Sequence, residues 1–220
     1  MRPVIVLFAK APVPGRVKTR LAELLGAAEA AEGHRAFVQD MLERAQLLAD
    51  QADLELHTDI PTDAWKAAGV AQELQLGSED LGERLLAAAT AALRTGREQV
   101  LILGGDAPTL PLEHVRALLA SRADAALGPS ADGGFYGIAL RRLHPAMFRG
   151  VVWSGTETLA ETLRAVQRCG LTTELGPPWY DVDTPADLNR LLACPALPRH
   201  TAAWLRRLGE KVRLAPRMEV

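Results

Sequence analysis

Short apolar runs alternate with longer segments of helical periodicity along the chain. Val4 to Ala9 is continuously apolar, as a central parallel strand buried on both faces is. Ala27 to Ala49 carries alanine and leucine at helical spacing. Leu54 to His57 reads as a second strand with a loop through Pro61, and Ala71 to Leu76 as a short third. Leu81 to Leu93 is a run of strong helix formers. Gln99 to Leu103 is again a buried strand, ending at Gly104-Gly105-Asp106, and Pro111 takes the first position of a helix to about Ala120. Strands at Ala123–Leu127 and Phe135–Leu140 flank a Gly-rich turn. Ser154-Gly155-Thr156-Glu157 reads as a capping box opening a helix to about Arg168. Leu171 to Leu175 is a last strand, and Thr184-Pro185 opens another helix. This alternation predicts βαβ units and a Rossmann-like three-layer α/β/α fold with a mostly parallel mixed sheet.

Composition narrows the partners more than the fold. The 220 residues, 48% of them hydrophobic, suit a single α/β domain, expected over 1–198. Pro195 and Pro198 set off a basic segment, 199–220, with a helix expected from Thr201 to Lys211. Its cations (Arg199, Arg206, Arg207, Lys211, Arg213 and Arg217) leave three uses open: a solvated or packed helix, a polyanion-binding tail, or a homo-oligomer contact. The net charge of −2 supplies no field for nucleic acid or an anionic membrane, so any anion must be held by a local cluster. Cys169 and Cys194 give neither a metal spacing nor a disulfide framework, and the five histidines show no zinc spacing. No stretch approaches the roughly 20 apolar residues of a membrane span, and Val4–Ala9 is too short for a signal-peptide core. Cytoplasmic residence is expected.

Five segments carry chemistry. The loop after the first strand, Lys10 to Arg20, places Lys10, Arg16, Lys18 and Arg20 around Gly15, with Pro12 and Pro14 stiffening it. Open α/β sheets bind ligands at this place, and arginine and lysine there would surround phosphates. It is neither a Walker loop nor a dinucleotide fingerprint. The alternative is a solvated basic turn. Asp106, just past a buried strand, points into the crevice as a ligand for a hard cation or caps the turn before Pro111. Asp181 and Asp183 share one face of an extended segment and repel unless a cation lies between them; Asp183 could instead cap the Pro185 helix. Asp132-Gly133-Gly134 allows exposed backbone amides at a tight turn, or is a plain hairpin turn. Gln75 could read a nucleobase edge.

Taken in order, Phe8-Ala9-Lys10 through Pro14-Gly15-Arg16-Val17-Lys18-Thr19-Arg20-Leu21, Asp80-Leu81-Gly82-Glu83-Arg84, Gly105-Asp106-Ala107-Pro108-Thr109-Leu110, Gly128-Pro129 with Asp132-Gly133-Gly134-Phe135-Tyr136, Trp153-Ser154 and Asp181-Val182-Asp183-Thr184-Pro185 resemble the bacterial radical-SAM/selenodomain-associated transferase family. The resemblance runs from about residue 4 to residue 192. It is similar in turn to the wider glycosyltransferase-A or nucleotidyltransferase fold group. It implies a nucleotide held by Ala9, Lys10, Gly15, Arg16, Lys18, Thr19 and Arg20, with Gln75, Gly82 and Arg84 beside them. It also implies Mg²⁺ or Mn²⁺ on Asp106 and Asp183, with Asp181 the weaker ligand, and an acceptor at Asp132, Gly133, Gly134 and Trp153. Asp106, Asp132 and Lys18 are the expected catalytic groups. Ala107 and Phe135 depart from residues the family often carries there.

Glycosyl transfer from a nucleotide sugar to a small acceptor is the first expectation. Nucleotidyl transfer, joining a nucleoside triphosphate to a phosphorylated small molecule with release of pyrophosphate, uses the same loop. A catalytically silent nucleotide-binding protein is the third reading.

Overall fold

The computed structural model describes residues 2–209. Its centre is a seven-stranded sheet of order β3-β2-β1-β4-β6-β5-β7. The strands are β1 (Val4–Ala9), β2 (Asp53–Thr58), β3 (Ala71–Leu74), β4 (Val100–Gly104), β5 (Ala125–Pro129), β6 (Phe135–Leu140) and β7 (Thr173–Leu175). β1 pairs in parallel with both β2 and β4, whereas β6 runs antiparallel to β4 and β5, which makes the sheet mixed.

Strand alternation divides the core into two layers. Ile5, Leu7 and Ala9 face α2 (Ala27–Gln46) and α4 (Leu112–Ala120), through Val38, Met41, Leu42, Val115 and Leu118. Val4 and Val6 face α3 (Leu81–Arg94) and α5 (Thr158–Arg168), through Leu85, Ala88, Ala89 and Val166. A third cluster joins α1 (Thr19–Leu25), α2, α6 (Pro185–Leu192) and α7 (Arg199–Leu208) around the fully buried Trp204. Gly33 of α2 is needed there, because a Cβ at that position would lie 2.5 Å from the Trp204 ring. The basic segment therefore begins as a packed helix; Lys211, Arg213 and Arg217 lie outside the described residues. No helix among the described residues is long and apolar enough to cross a membrane.

Several expectations shift. The Ala27 helix stops at Gln46, three residues short of Ala49, and the Ala123 and Leu171 strands each begin two residues later, at Ala125 and Thr173. Pro111 is the N-cap of α4 and not its first residue. Ser154 does not open a capping box: it has φ 63°, and α5 starts at Thr158 without a side-chain cap. Thr184 does form one with Asp187, so Asp183 is released from capping. α1 was not legible, because Gly26 with φ 86° separates seven helical residues from α2.

Candidate active site

β2 and β4 flank β1 on opposite sides, so the chain reverses its winding between β1 and β4. Open α/β sheets leave a crevice at the carboxyl ends of strands at such a point. Here the crevice is a cavity of about 740 Å³, within the range of small-molecule sites.

Lys18 is at its floor. The residue takes the left-handed conformation, φ 47° and ψ 44°, a cost of about 1–2 kcal/mol for a residue with a Cβ. The side chain is 3% exposed, and its ammonium lies 2.6 Å from both Asp106 Oδ1 and Asp183 Oδ1. Those carboxylates, 41% and 42% exposed, open into the cavity. Burial would lower the Lys18 pKa, but the charges of Asp106 and Asp183 overrule it and hold it above the usual lysine value. Burial opposes ionisation of Asp106 too, yet the Lys18 ammonium and His34 imidazole beside it keep the carboxyl well below the ordinary range.

Backbone hydrogen bonds bring the late acidic segment here. Val182 N donates to Asp106 O at 2.9 Å, and Trp179 exchanges hydrogen bonds with Pro129 and Ala131 beyond the end of β5. Val182 is buried, while Asp181 and Asp183 both line the cavity, as their two-residue spacing predicts. Asp181 accepts from Ser130 Oγ at 2.8 Å. Burial, with the charges of Asp106 and Asp183 behind it, pushes its carboxyl up to about 7. Asp106 and Asp183 thus share one ammonium, with Asp181 close enough to feel all three charges, a donor set of hard oxygens that fits a divalent cation.

The loop after β1 is held from two sides. Ala11 N donates to Asp59 Oδ1 at 2.7 Å, and the carbonyl of Lys10 accepts from His34 Nε2 at 2.9 Å. Arg16 reaches Asp59 at 3.4 Å. The side chains of Lys10 and Arg20 have no anionic partner among the described residues.

Of the residues singled out by sequence, Ala9, Lys10, Arg16, Lys18, Thr19, Arg20, Gln75, Arg84, Asp106, Asp132, Trp153, Asp181 and Asp183 all line this one cavity. Gly15, Gly82, Gly133 and Gly134 do not, and they act through the backbone. Gly15 has φ 82° with open space where a Cβ would be, so it serves the turn. A Cβ at Gly82 would lie 2.8 Å from Phe148 and 2.9 Å from Trp153, so this glycine permits packing. Gly133, φ 90°, would place a Cβ 2.0 Å from Thr156 O. Gly134 N donates to Asp132 Oδ1 at 3.0 Å. Gln75 is not a free reader of bases: its amide donates to Ala9 O and His57 O, and its Oε1 accepts from Arg84 at 2.8 Å.

Sequence reasoning missed His34 and Asp59. Asp59 directly follows β2, the same signal that picked out Asp106. His34 lies on the buried face of α2 between Ala30 and Val38, where a lone polar side chain is a weak mark.

The chain is similar to several known proteins. A 2-phospho-L-lactate guanylyltransferase from Methanocella arvoryzae is 31% identical over 188 residues, 83% of this chain and 79% of that one. A crystal structure from Desulfovibrio desulfuricans G20, provisionally described as a nucleotide-diphospho-sugar transferase, is 35% identical with TM-score 0.85, covering 97% of this chain and 98% of its own. A cytidylyltransferase from Leptospira borgpetersenii serovar Hardjo-bovis shares the fold at 15% identity, TM-score 0.60, over 100% and 99% of the two chains. The mixed α/β sheet is thus that of the nucleotidyltransferase and glycosyltransferase-A group. The family model described as "Uncharacterized protein conserved in bacteria (DUF2064)" matches residues 30–155, and to that family the chain belongs.

Proposed function

We propose that the chain is a metal-assisted nucleotidyltransferase. An acceptor oxygen attacks the α-phosphorus of a nucleoside triphosphate; the new O–P bond forms as the bond to the β-phosphate bridge breaks, and pyrophosphate leaves with the electron pair. The observation that carries this is the pairing of opposite charges in the cavity: Lys10 and Arg20, without an anionic partner among the described residues, and Arg16 suit the phosphates of a nucleotide, while Asp106 and Asp183 offer oxygens to a cation that would balance them. The guanylyltransferase name of the Methanocella relative supports the same reaction.

Lys10, Arg16 and Arg20 would hold the β- and γ-phosphates, with Thr19 and the Ala9 backbone beside them. Lys18 would meet the α-phosphate, where charge develops during transfer. Its fixed position lets it act without reorganisation. Asp106 and Asp183 would hold Mg²⁺ or Mn²⁺, with Asp181 the less favoured ligand; the cation supplies charge neutralisation to the phosphates when bound. Asp132 would face the acceptor. Such a reaction belongs in the cytoplasm, where triphosphates are kept.

Pyrophosphate release from GTP, CTP, UTP or ATP with Mg²⁺ and a panel of phosphorylated acceptors tests the reading. Release with at least one pair is expected. Nucleotide sugars stabilising the protein while no triphosphate does would instead favour glycosyl transfer, the reading supported by the description of the Desulfovibrio structure.

A further inference from the structure

Five buried side-chain polar atoms among the described residues have no hydrogen-bond partner: His34 Nδ1, Arg84 Nε, Gln99 Oε1, His114 Nδ1 and Trp179 Nε1. Of these residues, His34 and Arg84 line the cavity. Arg84 Nε can only donate, whereas an imidazole nitrogen can offer a lone pair. His34 is also the one histidine in the lining.

The tautomer of His34 follows from the partner of its other nitrogen. Nε2 lies 2.9 Å from the carbonyl oxygen of Lys10, which can only accept, so Nε2 carries the proton. In the neutral ring Nδ1 is then a bare acceptor. It faces Asp106 Oδ1 at 3.6 Å, a separation too long for a hydrogen bond. Two electron-rich atoms thus confront each other, one of them on a side chain only 5% exposed. A buried acceptor left without a partner costs about 1–3 kcal/mol. The ring is nonetheless held in place. Trp65 meets it edge-on at a centroid distance of 6.1 Å, and the Trp65 indole is itself fixed by donating to Arg35 O at 3.1 Å.

A histidine whose far N–H is tied to a backbone carbonyl, with its free lone pair turned to a carboxylate, is presented as metal-ligating histidines are. Two ligand bonds of about 2.0–2.2 Å, opened between a right angle and a tetrahedral one, span about 2.8–3.6 Å. The separation of His34 Nδ1 from Asp106 Oδ1 is at the outer edge of that range, so a small drawing-in brings both onto one ion. Resting on the metal-assisted reading above, we propose that His34 Nδ1 is a nitrogen ligand of the cation, joining Asp106 and Asp183. An imidazole among oxygens moves the preference from Mg²⁺ toward Mn²⁺ and the later transition ions. Because the same ring holds the Lys10 carbonyl, the cation and the phosphate loop share an anchor.

Pulsed electron paramagnetic resonance of Mn²⁺ on the full chain tests this, with pyrophosphate supplying phosphate oxygens and no nitrogen. Selective ¹⁵N labelling of histidine identifies the source of any nitrogen coupling. The native chain is expected to show the coupling of a directly bound histidine nitrogen. His34→Gln, which keeps an amide donor for the Lys10 carbonyl, should lose it. His200→Gln removes the histidine that lies with Asp40 and Glu43, and should leave the coupling intact. In competition with Mg²⁺, the native preference for Mn²⁺ should fall by about fivefold or more in His34→Gln. Mn²⁺ bound without a histidine coupling, or a coupling that persists in His34→Gln, sinks this inference alone. A coupling lost in His200→Gln, or no bound Mn²⁺ at all, sinks it together with the metal site at Asp106 and Asp183. Should His34→Gln fail to fold, the labelled native and His200→Gln chains still decide: a coupling in both supports the assignment, and its absence from the native chain overturns it.

Discussion

Two ionic clusters join distant parts of this chain, and they use their carboxylate oxygens differently. In the cavity, Asp106 and Asp183 share the Lys18 ammonium and both remain about two-fifths exposed. Behind α2, Asp40, Glu43 and His200 offer ligand atoms within 4.8 Å of one another, the only such triad of metal-ligating types among the described residues. Spacing alone would choose the second as the metal site. Hydrogen bonding reverses the choice. Asp40 Oδ1 accepts from His200 N at 2.9 Å, and Oδ2 accepts from Thr201 N at 2.7 Å and Thr201 Oγ1 at 2.6 Å. Glu43 Oε1 accepts from His200 Nε2 and Arg199 Nη2, both at 2.8 Å. A cation there would have to strip the amides that begin α7 of their acceptor. Carboxylate oxygens already taken up by helix amides have little left for a cation, whereas those open to the cavity have room to accept one.

The sharpest test of the contrast is Lys18→Met. Removing a fixed donor at the developing charge is expected to cost about 10³-fold in turnover, roughly 4 kcal/mol. Stability should change little, since Asp106 and Asp183 are open enough to hydrate. Pyrophosphate release and thermal melts on the same sample read both. A variant that melts far lower yet turns over normally once folded would make Lys18 a structural residue and erase the distinction.

The opposite pattern is expected from Trp204→Ala. Trp204 is fully buried against Gly33 and Phe37, and its indole N–H donates to Glu29 O at 3.1 Å. Truncation should cost about 3 kcal/mol, the lower end for such changes because α7 lies at the edge of the fold and can readjust. For a chain of this size that lowers the melting temperature by about 6–12 °C, with kcat unchanged below the transition. A fall in kcat at full folding would couple this face to the cavity.

How much of this was legible in sequence follows from the same contrast. The sheet and most helices follow from binary patterning, which is local. The cationic loop and Asp106 were visible because charge just past a buried strand has few places to go. Asp183 was ambiguous between capping and ligation until Thr184 and Asp187 closed the capping box themselves. Asp40 and His200 are 160 positions apart, and no local pattern announces that one caps the helix of the other. Gln75 and Gly82 line up with the family pattern, yet their work is to hold the wall, which only the packing reveals.

Asp40→Ala sharpens the metal question at intermediate effect. It strands two backbone amides and a hydroxyl at the start of α7, which should cost about 1–3 kcal/mol. Added Mn²⁺ should shift the melting of native and Asp40→Ala chains equally in the presence of nucleotide, whereas Asp106→Ala should abolish the added shift. Loss of the Mn²⁺ effect in Asp40→Ala would return the metal to the α2–α7 cluster.

The smallest effect concerns Glu43 and pH. Burial alone would raise its pKa, but the hydrogen bond and charge of His200, with Arg199 and Gln39 adding to them, hold it below the usual glutamate value. A carboxyl whose folded pKa is depressed contributes stability above its unfolded pKa and loses it as pH falls through the folded one. Asp40, on the same helix, faces amides and the Thr201 hydroxyl and not the imidazole. Glu43→Gln should therefore lower the melting temperature slightly at pH 7, and by less at pH 3, as the native carboxyl gains its proton on the way down. Because Arg199 is exposed and Glu43 and His200 are only half-buried, the difference at pH 7 should stay at or below about 1 kcal/mol. An equal penalty at both pH values would mean that shape, and not charge, is what Glu43 contributes to the docking of α7.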